Sequence, residues 1–360
     1  MLTRLLYGLD RQEFDQAVVS ITDCGVHGEA LKAAGIEVTA LGMTGLLSLP
    51  RTLLRLRQVI TSYRPHVIQT WLYHADFLGL LASRWAGDCS LVWSIRCAKL
   101  SIDDAPFSTH WMIRLLAKLS SLPTAVIFNS IAGKNSHKAI GYHPRSEMVI
   151  SNGFDVETWK PVEFRRREFR AGIGVMDDVF LVGMIARHHP IKDHKCFFRA
   201  AAQIHSHRPD VHFVLVGSGI TWNNTALVAD IDECGIAGYV SLLGPRDDMP
   251  RVMSGLDCLV LTSTSEGFPN VIGEAMASGI PCVTTDAGDA GHIIADTGRV
   301  VPVGDVDGIA KGVLRLMEDT PRERLALALR CRARISENFE IESVLAHYAS
   351  FYKELHEHSQ

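Results

Sequence analysis

The sequence predicts an α/β fold of two doubly wound, Rossmann-like parallel-sheet domains. Short apolar runs of strand length alternate with helical patterns throughout the 360 residues, as they do when parallel strands are joined by crossover helices. These runs fall into two similar sets on either side of Asn152-Gly153, a dipeptide that favours a turn. The length also suits two domains of ordinary size, each with its own core.

In the first set the candidate strands are Ala17–Thr22, Glu37–Leu41, His66–Thr70, Ser90–Ile95, Ala125–Asn129 and Glu147–Ile150. In the second they are Phe180–Ala186, His212–Gly217, Val240–Leu243, Cys258–Leu261, Cys282–Thr285 and Arg299–Val301. Met1 opens on a helix-like pattern of Leu2, Leu5, Leu6 and Leu9, and the first strand arrives only at Ala17. From Ile335 to Leu355 the spacing of Val344, Leu345, Tyr348, Phe351, Tyr352 and Leu355 is helical.

Apolar content of 47% and charged content of 21% are those of a globular protein, and a net charge of −4 argues against a general nucleic-acid binder. Residues 1–150 carry fifteen Lys and Arg against eleven Asp and Glu, a net +4 that leaves −8 for the remainder. The eight cysteines show neither C-x-x-C nor a disulfide-framework spacing, so reduced thiols are expected. No secretory signal pattern opens the sequence, and no uncharged apolar run reaches the roughly 18 residues of a membrane span. A cytoplasmic protein is expected, with possible peripheral contact at the inner face of the membrane. Two basic, partly amphipathic segments suggest that contact: Arg51–Tyr63 with Arg55 and Arg57, and Trp111–Leu119 with Arg114 and Lys118. Helices that cover a sheet look much the same.

Residues 261–291 carry the most chemistry. An apolar strand runs into a polar turn ending at Glu266-Gly267, and Phe268-Pro269-Asn270 lead into a short helix stopped by Gly279. Glu274 lies one turn inside that helix, with seven residues between it and Glu266. The free N–H groups of a helix N-terminus attract anions. Carboxylates beside such a site would repel phosphate, so hydrogen bonds from sugar hydroxyls suit them better. Phosphates and hydroxyls together describe a nucleotide sugar.

This segment resembles the E-x7-E region of retaining, GT-B-fold glycosyltransferases of family 4 (group 1), in the Glu-Gly-Phe-Pro-Asn form common in bacterial polysaccharide biosynthesis. The resemblance covers nearly the whole sequence and is strongest from Phe180 to Val303. It implies an N-terminal acceptor-side domain over 1–152, a C-terminal nucleotide-sugar-binding domain over 153–335, and a helix over 336–360 that crosses back to the first domain. The two domains would face each other across a cleft. Relatives begin with a strand and a glycine-rich loop before the first helix, and the given sequence opens without them; either its start is misplaced, which is the expected reason, or the strand and part of the site are lost.

The resemblance also implies site residues. Arg187 and Lys192, five apart after the strand Phe180–Ala186, match the family's cations for the departing diphosphate, and Glu266 matches the acid that holds the donor sugar. These three are the expected catalytic residues. Glu274 would hold ribose hydroxyls, with Gly267, Phe268, Asn270 and Val271 supplying donor contacts. Gly217 and Gly219, in a strand-to-turn Val-Gly-Ser-Gly, would lie beside the nucleotide; without a third glycine this is not a dinucleotide fingerprint. On the acceptor side, Arg96 and His74 follow separate strands. Arg96 would meet a phosphate; His74 would touch the acceptor or serve only structure.

No metal or cofactor is expected. Neither His188, His189 and His194 nor His205, His207 and His212 is joined by a carboxylate or cysteine in a familiar ligand set, so both groups read as solvated. Relatives carry Gly-Gly-Glu where this sequence has Asp286-Ala287-Gly288-Asp289, so Asp289 and His292 receive no task. Gly273 inside the helix allows close packing, close ligand approach or neither. The expected activity is metal-independent, retaining transfer from a nucleotide-diphosphate sugar to a hydroxyl of a lipid-linked or saccharide acceptor. The alternatives are a GT-B-fold sugar-nucleotide epimerase and, if the short N-terminus is real, a non-catalytic nucleotide-sugar-binding protein.

Overall fold

The structure, a computed structural model, describes residues 1–98 and 107–357. The chain divides into two compact units, Met1–Gly153 with Ile341–Gln360, and Phe154–Glu340. The sequence is read correctly as α/β with two parallel-sheet, Rossmann-like units.

In the first unit the strands are β1 (Ala17–Ser20), β2 (Glu37–Ala40), β3 (Val67–Trp71), β4 (Ser90–Ile95), β5 (Ala125–Phe128) and β6 (Glu147–Val149). They form two parallel sheets, β1-β2 and β3-β4-β5-β6. The inner strands β4 and β5 are buried along their whole length, as an apolar run flanked by helices on both faces should be. Helices link the two sheets. Leu2 and Leu6 of the helix Leu2–Gly8 pack with Val18 and Val38, while Leu5 joins Val67 and Val92. Leu56 and Leu78, from the helices Leu49–Tyr63 and Tyr73–Ala86, sit in one cluster with Val19 and Ile68.

In the second unit the strands are β7 (Phe180–Ile185), β8 (Val211–Val216), β9 (Val240–Leu242), β10 (Cys258–Leu261), β11 (Cys282–Thr285) and β12 (Arg299–Val301). They make one parallel sheet in the order β12-β11-β10-β7-β8-β9. Chain order runs outward from β7 in one direction and from β10 in the other. The switch point of this doubly wound sheet therefore lies between β7 and β10, where ligands bind outside the carboxyl ends of the strands. Two apolar clusters cover the sheet, one including Phe197, Phe213 and Ile309, the other Phe268, Ile272 and Phe339.

Asp257, which enters β10, is tied to the unit's first helix, Glu163–Gly172. Its carboxylate accepts from Arg166 at 2.8 Å, from Arg170, and from the Leu181 amide at 2.7 Å. The helical tail is two helices rather than one, Pro321–Phe339 and Ile341–Glu357, interrupted where Glu340 takes an extended backbone. The first starts at Thr320 with a reciprocal capping box to Glu323. The second places Tyr348, Phe351 and Leu355 in the first unit's core with Val92, Ala125 and Ile127.

Candidate active site

The loops that leave β7, β8, β10 and β11 meet at the switch point of the second unit. After β7 comes Arg187-His188-His189, then a 3-10 turn over Pro190–Lys192, then the helix His194–His207. The turn after β8 lies against this loop: His188 N donates to the Ser218 carbonyl at 2.8 Å. Gly217 and Gly219 both have positive φ, and the contact explains why neither carries a side chain. A Cβ on Gly217 would stand 2.2 Å from the Ala186 carbonyl oxygen and 2.9 Å from the Arg187 nitrogen, and one on Gly219 3.0 Å from His188 Cβ.

Lys192 and Glu266 meet across the switch point. Lys192 Nζ donates to Glu266 Oε1 at 2.5 Å, and Ser263 Oγ donates to the same oxygen at 2.7 Å. Both members of the pair are mostly sheltered, with side chains 22% and 13% exposed, so the pair is screened less than a surface bridge. Arg187 stands exposed at the end of β7. Glu266-Gly267 is braced from behind by the loop after β11. Asp289 N donates to the Gly267 carbonyl at 3.0 Å, and Gly288, at φ +62°, packs where a Cβ would lie 2.1 Å from the Glu266 carbonyl oxygen.

The helix predicted after this turn spans Asn270–Ala277, with Pro269 as its N-cap and Gly279 at φ +76° just beyond its end. Phe268 is buried and stacks on Phe154, with ring centroids 6.1 Å apart. Asn270 is exposed, Val271 half-buried, and Glu274 half-buried in the helix's second turn. Gly273 faces Phe154: a Cβ there would lie 2.1 Å from the ring. Its smallness serves packing between the unit's first residue and this helix.

Three features of this site go beyond the sequence reading. Thr262 Oγ1 lies 2.9 Å from both the Lys192 and Asp193 carbonyls, to which it donates, and Ser263 holds Glu266 as described. The only sequence signal was the hydroxyl run Thr262-Ser263-Thr264-Ser265, which reads as an ordinary polar turn. His194 corrects the expectation of solvated histidines. It is 5% exposed, and burial, together with nearby His188 and Lys192, pulls its pKa down to about 4. His212 is also partly buried, and its Nε2 lies 2.8 Å from Ser241 Oγ. Among the described residues no group of three or more His, Cys, Asp or Glu is arranged to hold a metal ion.

The first-unit residues sit at the carboxyl ends of adjacent strands. Arg96, just after β4, donates to Asn152 Oδ1 and lies over the Trp71 ring at 4.8 Å, and burial lowers its pKa. His74 is exposed in the first turn of the helix that follows β3. No hydrogen bond joins these two side chains among the described contacts. Between Trp71 and that helix, Leu72 has φ +76° and ψ 157°, a conformation that costs a residue with a side chain on the order of 1–3 kcal/mol. Behind the turn, Asp76 is fully buried and accepts from Thr70 Oγ1 at 2.5 Å; burial pushes its pKa up to about 8. Tyr73 OH lies 2.9 Å from both Cys97 Sγ and His137 Nε2. Sequence spacing does not reveal this buried polar cluster, because its members come from three separate elements.

Comparison with known proteins decides the family. The model described as Glycosyltransferase Family 4 matches residues 1–158, and that described as Glycosyl transferases group 1 matches residues 178–319. The chain belongs to the family 4, group 1 glycosyltransferases. This glycosyltransferase is 24% identical over 298 residues to an Escherichia coli UDP-Gal:alpha-D-GlcNAc-diphosphoundecaprenol alpha-1,3-galactosyltransferase, covering 81% of this chain and 76% of that one. It is 27% identical over 228 residues to the lipopolysaccharide core biosynthesis mannosyltransferase LpsB of Rhizobium meliloti, covering 61% and 64% respectively. Among solved structures, Anabaena HepE in complex with UDP and glucose superimposes with a TM-score of 0.84 at 24% identity, over 98% of this chain and 95% of that one. At that identity the likeness speaks for the GT-B fold alone.

Proposed function

We propose that this glycosyltransferase moves a sugar, with retention of anomeric configuration and without a metal ion, from a nucleotide-diphosphate sugar to a hydroxyl acceptor. The acceptor is a lipid-linked or growing saccharide of cell-surface polysaccharide or lipopolysaccharide synthesis. The relatives named for undecaprenol-linked and lipopolysaccharide-core substrates support that setting. The observation that carries the reading is the Lys192–Glu266 contact at the switch point, beside the start of the helix Asn270–Ala277.

In this reading the bond between the sugar's anomeric carbon and the diphosphate breaks while the acceptor oxygen attacks from the same face. Charge grows on the departing diphosphate, and Arg187 and Lys192 meet it. The acceptor proton passes to a leaving phosphate oxygen, so no protein nucleophile is assigned. Glu266 holds the donor sugar and Glu274 the ribose, while Gly217, Gly219, Gly267, Phe268, Asn270 and Val271 line the donor. The first unit, with Arg96 and His74, takes the acceptor. The enzyme works in the cytoplasm at the inner face of the membrane, and the exposed side chains of Trp111, Arg114, Leu115 and Lys118 favour peripheral contact. Among the described residues no helix is long and apolar enough to cross a membrane.

Donor identity is tested by thermal shift with UDP-, GDP- and ADP-sugars, followed by steady-state kinetics with the stabilising donor. Lys192→Ala should lower kcat by about 10²–10³-fold, the scale of losing one group that stabilises transition-state charge. Glu274→Ala should mainly weaken donor binding. Full activity in both variants would refute the assignment.

A further inference from the structure

We propose that Thr262 is a positioning residue for Lys192, acting through the backbone rather than on the substrate. The inference rests on the reading of Lys192 as the cation that meets the departing diphosphate. Thr262 follows β10, and its side chain is fully buried. Its single hydroxyl proton is shared between two consecutive carbonyls, those of Lys192 and Asp193, each 2.9 Å away. These carbonyls belong to the other side of the switch point, so the hydroxyl joins the β10 end to the β7 loop where the lysine leaves the backbone.

That junction needs holding. Asp193 adopts φ +46°, and its side chain caps the helix His194–His207 by accepting from Cys196 N at 3.1 Å. Lys192 lies in the 3-10 turn just before it, with its amide donating to the His189 carbonyl at 2.9 Å. A lysine carries its charge on a flexible four-carbon stem, so the placement of the ammonium depends on where the stem is rooted. The tip of the side chain donates to Glu266. When a diphosphate draws the ammonium away, that restraint is lost and the root is what remains. Next door, Thr264 N donates to the Ile191 carbonyl at 2.8 Å, so the β10 end grips three consecutive residues of the turn, 191–193. Ser263 meanwhile keeps a hydroxyl on Glu266 after the lysine departs.

Valine matches threonine in shape and lacks the hydroxyl, so Thr262→Val removes the tether and little else; serine restores it. Thr262→Val should lower kcat about tenfold, the effect of losing one hydrogen bond that sets reacting geometry. The KM for donor and the affinity for the nucleotide diphosphate should stay within about twofold, and Thr262→Ser should recover most of the rate. In a Lys192→Ala background, Thr262→Val should cost nothing further, because a residue that acts through Lys192 has nothing left to position. An equal tenfold loss in that background, a loss that serine does not recover, or a change confined to KM would each overturn the proposal. If Thr262→Val fails to fold, Thr262→Ala and Thr262→Ser carry the same comparison. A Lys192→Ala enzyme with undiminished kcat would sink the reading of Lys192, and this inference with it. A slow Lys192→Ala enzyme with an additive Thr262→Val loss would sink the inference alone.

Discussion

Asp76 and His194 illustrate opposite consequences of burying a titratable side chain. Burial disfavours the charged form in both cases, raising the acid and lowering the base. Between about pH 4 and pH 8 the folded protein therefore holds a proton on Asp76 that the unfolded chain releases. The contribution of this acid to stability is full below its unfolded pKa and declines as pH rises through about 8. His194 runs the other way: between about pH 6.5 and 4 the unfolded chain binds a proton that the folded protein refuses, so acidification destabilises. Asp76→Asn removes the first effect while preserving shape. In urea unfolding at pH 5 and pH 8.5, the stability of wild type relative to Asp76→Asn should fall at the higher pH by on the order of a few kcal/mol. An unchanged difference would mean that Asp76 is as acidic in the folded protein as in the unfolded chain.

At the scale of single elements, legibility followed the range of the interactions involved. Strands β4, β10, β11 and β12 have the bounds expected; the first three are buried along their whole length and end where the turn begins, while β12 lies at the sheet edge with Arg299 exposed. Arg187 and Lys192 follow β7 and Glu266 follows β10, so their place at strand ends is legible in the sequence, while the roles expected of them come from the family resemblance. What holds them was not legible: Thr262 and Ser263 act on partners 70 and 3 residues away, and a hydroxyl in a turn looks the same whichever carbonyl it reaches. The histidine loop misled for a related reason, since His194 opens a helix whose burial pattern is decided by neighbours distant in sequence.

The helix Phe107–Leu119 shows a similar ambiguity between a helix that covers a sheet and one that meets a bilayer. Ile113, Leu116 and Ala117 are buried against the sheet, while Trp111, Arg114, Leu115 and Lys118 are exposed. Two apolar side chains, Trp111 and Leu115, beside two cations, Arg114 and Lys118, on one open face suit an anionic interface. Each cation near such a surface contributes about 1 kcal/mol. Arg114→Glu combined with Lys118→Glu should therefore weaken binding of the full chain to phosphatidylglycerol vesicles by at least about tenfold in a flotation assay. Neutral vesicles should discriminate little between the two proteins. Equal flotation of both proteins with anionic vesicles would remove this helix as the contact.

For the whole molecule, the division into two units means that stability is not shared evenly. The helix Ile341–Glu357 is last in the sequence, yet its apolar face completes the core formed by β4, β5 and the first helix. Tyr348 is fully buried there among Val92, Ala125 and Ile127. The second unit closes its own core without this helix, through Phe154, Phe268, Ile272 and Phe339. Truncating an aromatic side chain in a core costs about 3–5 kcal/mol. Tyr348→Ala in the full chain should thus destabilise the first unit by that amount while leaving the second intact. Native-state hydrogen exchange separates the two. Amides of β4 and β5 should lose protection, those of β7 and β10 should keep theirs, and the unfolding profile should split into two transitions. If protection fell equally in both sheets, the units would fold as one cooperative body, and the last helix would stabilise the whole chain rather than its first half.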